Sequence, residues 1–139
     1  MLQEGKTPIT ILQELMAMLT TRKEACEKIL GKSPDEETKA KLTTCTAQSD
    51  VFLNALMSEL TQFGDAVMGE VERDNAYQNH WRDALKKADA ASAMELYETF
   101  AVMEGSLAKT YNELVADGSE LPDSLQELLK KQAQEIPVN

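Results

Sequence analysis

Apolar positions recur in steps of three and four along most of the chain. Ala93, Leu96, Tyr97, Phe100, Met103, Leu107, Tyr111 and Leu114 form one such series. That is the period of a helix with one buried face. The same period runs through Leu12, Leu15, Met16, Leu19, Cys26, Ile29 and Leu30. It returns through Leu42, Cys45, Ser49, Phe52, Leu53, Leu56, Leu60 and Phe63, and again through Leu125, Leu128, Leu129, Gln132 and Ile136. A shorter series joins Tyr77, Trp81, Ala84 and Leu85. No sustained alternation and no Asn-Gly hairpin turn points to a strand.

Punctuation sets the expected boundaries. The first helix runs from Pro8 to Leu30, with Thr7 as cap and Gly31 as a left-handed stop. The second opens at Ser33-Pro34-Asp35-Glu36, with Ser33 capping and Glu36 reaching back, and closes at Gly64. A long link, Asp65 to Asp89, carries a short amphipathic helix from Asn75 to Ala88. The third main helix spans Ala90 to Ala116, capped by Asp89 and ended by Asp117-Gly118. The last follows Leu121-Pro122 and stops at Pro137.

Four amphipathic helices cannot each bury a stripe alone, so the expected fold is all-α, a four-helix bundle. The short links make two antiparallel hairpins. The long link crosses over between them, and 139 residues fit a single domain. In a hairpin turning at Lys32 and Ser33, Cys26 and Cys45 fall about six residues out of level, roughly 9 Å along the axis. On that reading they are separate buried thiols, too far apart for a disulfide.

Several motifs stand in a familiar order. They are Phe52-x-x-x-Leu56 to Leu60-x-x-Phe63-Gly64, His80-Trp81, Met103-Glu104-Gly105 to Tyr111, and Leu121-Pro122 to Leu128-Leu129-x-x-Gln132. Together they resemble a bacterial ferritin-like four-helix-bundle family of unknown function, related to the YciE/YciF-type stress proteins. The resemblance spans roughly Ile9 to Ile136. It implies a ferritin-like fold and a stress-related setting, and no established reaction.

Composition narrows the partners. The net charge is −10, and no basic footprint for nucleic acid is visible. An anionic membrane surface is disfavoured for the same reason. No stretch reads as a signal peptide or a membrane span, so a cytoplasmic protein is expected. Self-association or contact with another protein is the expected mode of action, with no cofactor.

The chemistry turns on Glu104, which lies on an apolar stripe. It is a metal ligand, half of a buried pair, or an edge residue reaching water. A di-iron bundle needs a carboxylate from each of two helices and Glu-x-x-His from the other two. The only histidine is His80, and Tyr77 stands three before it. By the resemblance, the carboxylate position of the second helix falls at or near Gln48, an amide. Glu24 is the nearest match in the first helix, with Glu27 and Glu98 as further carboxylates. Glu24, Gln48 and Glu104 are therefore the candidate ligands if a metal is bound, and a non-enzymatic bundle is the preferred expectation. In a metal-free bundle Glu104 is expected against Gln48, Ser49 or a tyrosine hydroxyl. Glu104→Gln is then neutral or stabilising.

Overall fold

The computed structural model describes residues 8–32, 34–62, 76–87, 92–116 and 121–136. Five helices run through them: α1 Pro8–Leu30, α2 Glu36–Thr61, α3 Ala76–Lys86, α4 Ala93–Ala116 and α5 Asp123–Glu135. The fold is all-helical, with no strand among the described residues. Thr7, Ser33, the whole of 63–75, Asp89, Asp117, Gly118 and Pro137 lie outside them.

The helix ends differ from expectation in three places. The cap of α2 falls on Asp35, whose carboxylate accepts from the Thr38 N–H at 2.8 Å. Glu36 and Glu37 follow in the first turn, where negative charge complements the helix dipole. The first turn of α4 starts at Ala93, three residues later than expected. Ser92 and Glu95 form its capping box: the Glu95 N–H donates to Ser92 Oγ, and the Ser92 N–H donates to Glu95 Oε1. Finally, Gly31 does not enter the left-handed region. Instead α1 tightens at its end, with the Gly31 N–H donating to the Glu27 carbonyl and the Lys32 N–H to that of Ile29.

Packing makes α1 the hub. It lies against α2 most extensively and also against α3 and α4. Contacts between α4 and α5, and between α2 and α5, close a ring, and α3 covers α1 and α4. With neighbours on three sides, α1 buries more than its expected stripe. Ile11, Gln13, Ala17, Met18, Thr21, Arg22 and Ala25 are buried along with the residues expected, except Leu30, which is half-buried. The inner faces of α2 and α4 follow the sequence pattern closely, through Leu42 to Leu60 and Leu96 to Tyr111.

The register of α1 on α2 overturns the expected cysteine separation. Arg22 Nη1 donates to Ser49 Oγ at 3.2 Å, and Lys23 Nζ meets Asp50 Oδ1 at 2.8 Å. Level pairs are therefore shifted about six residues from a turn centred on Lys32 and Ser33. The first turn of α2 overhangs the end of α1, and Glu36, Glu37, Lys39 and Ala40 are exposed. This shift brings Cys26 and Cys45 to the same level.

The Asp35 cap has a pH signature. The hydrogen bond from Thr38 holds its carboxyl below the usual range. A carboxyl with a depressed folded pKa stabilises the fold above its unfolded value of about 3.9 and loses that effect as pH falls through the folded value. Asp35→Ala is expected to lower the melting temperature at pH 7. The gap from wild type should shrink through the acid range, which thermal melts at stepped pH will measure.

Candidate functional site

Each main helix carries buried polar residues on its inner face, and those of α1, α2 and α4 meet in Arg22, Ser49 and Glu104. Arg22 comes from α1, Ser49 from α2, Glu104 from α4 and Gln132 from α5; all four are buried. Arg22 is 0% exposed and Glu104 3%.

Arg22 grips Glu104 with two parallel bonds, Nε to Oε1 at 2.8 Å and Nη2 to Oε2 at 2.6 Å. This fork-on-fork geometry is the strongest form of side-chain ion pair. Ser49 Oγ, having accepted from Arg22, donates to the Cys45 carbonyl at 2.9 Å. The Cys45 thiol donates to Glu104 Oε2 at 3.8 Å. Burial alone would lower the pKa of Arg22. Its hydrogen bonding to Glu104 and the charge of that carboxylate outweigh burial and raise it. The guanidinium is therefore locked in its charged form.

Cys45 faces Cys26, and that contact, with burial next, pushes its thiol up. Both cysteines are free and buried. Tyr77 and Trp81 bring two more donors to the interior from α3. Burial pushes the Tyr77 phenol up as well. Tyr77 and Trp81 are one turn apart along α3, and neither Tyr77 Oη nor Trp81 Nε1 has a hydrogen-bond partner among the described residues.

A second polar tie lies beside the ion pair. Tyr111 Oη donates to Gln132 Oε1 at 2.6 Å, and Gln132 Nε2 donates to the Phe52 carbonyl at 3.3 Å. The Phe52 and Tyr111 rings meet edge to face, 6.4 Å apart. Gln132 thus joins α5 to both α4 and α2.

The ion pair forms part of the wall of a pocket of about 400 Å³. Arg22, Glu104 and Cys45 line its polar side, with Thr44 and Gln48. Tyr97 and Phe100 line the apolar side, stacked at 5.6 Å. Ala40 and Lys41, both exposed, also border it.

The expected site residues separate. Glu104 is buried on the inner face of α4, as its spacing predicts. Gln48 borders the same pocket, and its Nε2 donates to the Glu135 carbonyl at 2.9 Å. Glu24, Glu27 and Glu98 are exposed, so Glu24 does not join the other two. Among the described residues no group of three or more His, Cys, Asp or Glu side chains could hold a metal ion. His80 is exposed, while Trp81 is fully buried as a packing anchor.

Glu104 is corrected in its partner. The expectation was Gln48, Ser49 or a tyrosine, and the partner is Arg22. The signal for Arg22 is present in the sequence. Leu15, Leu19, Cys26 and Ile29 follow steps of three and four only if position 22 is also inside. A charged residue there reads as a break in the stripe, although it belongs to it.

No family model, curated protein or solved structure matches the chain.

The pair reverses the expectation for Glu104→Gln. Removing the negative partner leaves a buried guanidinium uncompensated, at a cost of about 3–5 kcal/mol. Replacing both partners with apolar residues, as in Arg22→Met with Glu104→Leu, should cost far less or even stabilise. Urea melts of the single and double variants test this. A Glu104→Gln protein as stable as wild type would contradict a closed ion pair. Separately, Tyr111→Phe leaves Gln132 Oε1 without its donor and should cost about 1–3 kcal/mol by the same measurement.

Proposed function

We propose that this chain is a metal-free, ferritin-like four-helix bundle that acts without catalysis, through contact with a second copy of itself or with another protein. The observation that carries the reading is the buried Arg22–Glu104 pair. A di-iron bundle turns carboxylates and Glu-x-x-His pairs toward a metal at its centre. Here the cation between the helices is a guanidinium, and both oxygens of Glu104 are already engaged by it. Its charge does for the bundle what a metal would otherwise do: it neutralises an inward carboxylate.

The ring of contacts among α1, α2, α4 and α5 is compatible with two hairpins in a ferritin-like arrangement. The connection between α2 and α4 is also the longest in the chain. A role by contact is supported by the exposed Val51, Met94 and Val102, which are 65%, 72% and 64% accessible. The acidic surface favours a basic or neutral partner over nucleic acid or an anionic membrane. No helix among the described residues is long and apolar enough to cross a membrane. A cytoplasmic, stress-related setting fits this reading.

Two measurements test the proposal. Protein purified without chelator should carry no stoichiometric iron, manganese or zinc, and chelator should leave its melting temperature unchanged. A chelator-sensitive melt with bound metal would overturn the metal-free reading and favour a carboxylate-bridged metalloprotein or oxidoreductase. Sedimentation at high micromolar concentration should show a dimer. A monomer at every concentration would leave only contact with a different protein.

A further inference from the structure

The α1–α2 register has a chemical consequence. Arg22 and Ser49 are hydrogen-bonded across the hairpin. One helical turn onward in α1 is Cys26, and one turn back in α2 is Cys45. In an antiparallel pair these two positions face each other. The effect of Cys26 on the Cys45 thiol agrees with that placement. Both are free. They differ in access: Cys26 is 0% exposed, whereas Cys45 is 8% exposed and lines the pocket.

We propose that Cys26 and Cys45 form a redox-reactive dithiol, which a small hydroperoxide entering by the pocket closes into an intrachain disulfide. This site goes beyond the reading of the chain as a contact-making bundle and does not depend on it.

The chemistry balances in two steps. Cys45 Sγ attacks one oxygen of the hydroperoxide and the O–O bond breaks. The alcohol, or water when the oxidant is hydrogen peroxide, leaves with the proton that the thiol gives up. Glu104 Oε2, which accepts the thiol hydrogen at 3.8 Å, lies on the path of that proton. Cys45 is then a sulfenic acid. Cys26 Sγ attacks the Cys45 sulfur, the S–O bond breaks, and water leaves with the second thiol proton. The two cysteines together lose two hydrogens, and the hydroperoxide is reduced to alcohol and water.

The surroundings set the pace and the result. The thiolate is the attacking form, and the environment of Cys45 favours the thiol. The reaction is therefore slow at neutral pH and suits a site modified once per oxidative exposure rather than a peroxidase. Closure removes the thiol hydrogen bond to Glu104 and staples α1 to α2 one turn from the ion pair. Reduction by an external dithiol reopens it.

The test uses the full chain, reduced, desalted and exposed to hydrogen peroxide. The sample is then denatured in N-ethylmaleimide and its intact mass is measured. The expected product is a single chain lighter by two hydrogens, carrying no maleimide. Peptide mapping should link Cys26 to Cys45, and a phosphine reductant should restore both thiols. The oxidised chain should keep its helical circular dichroism and melt higher, by on the order of 10 °C. Ala40→Trp, which narrows the pocket, should slow the reaction several-fold without altering the fold. In Cys26→Ser, Cys45 should gain oxygen; in Cys45→Ser, Cys26 should stay reduced.

Several results would overturn the proposal. One is two maleimide-reactive thiols after an exposure that fully crosslinks the urea-unfolded chain. Another is a crosslink only between chains. A third is an oxidised product that has lost helix or melts lower than the reduced protein. An unchanged rate in Ala40→Trp would remove the pocket as the route of entry.

Discussion

A guanidinium out of reach of water has to be matched where it lies, and Arg22 is matched by Glu104. Taking both charges out of water costs several kcal/mol each, and their attraction offsets this only with good geometry and further hydrogen bonds. Those conditions constrain three helices at once. α1 must present Arg22 to α4 at the height of Glu104, and α2 must bring Ser49 to the remaining nitrogen. A slip of one turn in any of them separates the partners by about 5 Å and leaves a charge stranded. The apolar stripes alone would tolerate such a slip far better, because leucines one turn apart present similar surfaces. The pair therefore selects one register among several that burial would accept.

The same constraint explains the loop between α1 and α2. An immediate turn at Lys32 and Ser33 would set Arg22 opposite a residue well before Ser49. The extended passage through Asp35 and the overhanging first turn of α2 allow Arg22 and Ser49 to meet. That overhang exposes a helix end to solvent. Asp35, Glu36 and Glu37 stabilise it locally, through one side-chain cap and favourable charge at the dipole. Gln132 adds a further tie, joining α5 to α4 and α2. The Arg22–Glu104 and Gln132–Phe52 ties join helices that no short loop connects.

Much of the fold was legible because periodicity is a property of single helices. The bounds of α1 are those read from Pro8 and Gly31, and the buried faces of α2 and α4 follow their stripes. The inward position of Glu104 was legible for the same reason. Its partner was not, because pairing depends on how one helix sits against another. Arg22 breaks an otherwise apolar series and reads as polar surface, although its spacing from Leu19 and Cys26 places it inside. Register is not legible from the loop, since a count of residues does not reveal how two helices slide against each other. Caps fell in between. Ser92-x-x-Glu95 carries the capping-box signature, yet the competing Asp89 obscured it. Ser33 likewise drew attention from Asp35.

The ion pair also sets what the neighbouring pocket can admit. Arg22 and Glu104 together present a wall of no net charge. An entering cation would have to compete with Arg22 for Glu104, and an anion reaching Arg22 with Glu104, while Lys41 at the exposed border is the cation an anion meets without that contest. Either contest breaks a bidentate pair and leaves its other member poorly matched, at a cost a small ligand does not recover easily. Uncharged molecules escape that cost. They can lie along Tyr97 and Phe100 while their polar atoms approach Thr44, Gln48 or the Cys45 thiol. A small hydroperoxide is of this kind, and the sulfur it meets has its hydrogen directed at a carboxylate. A contact chosen to hold three helices in register therefore also filters which molecules reach the one cysteine that borders the pocket.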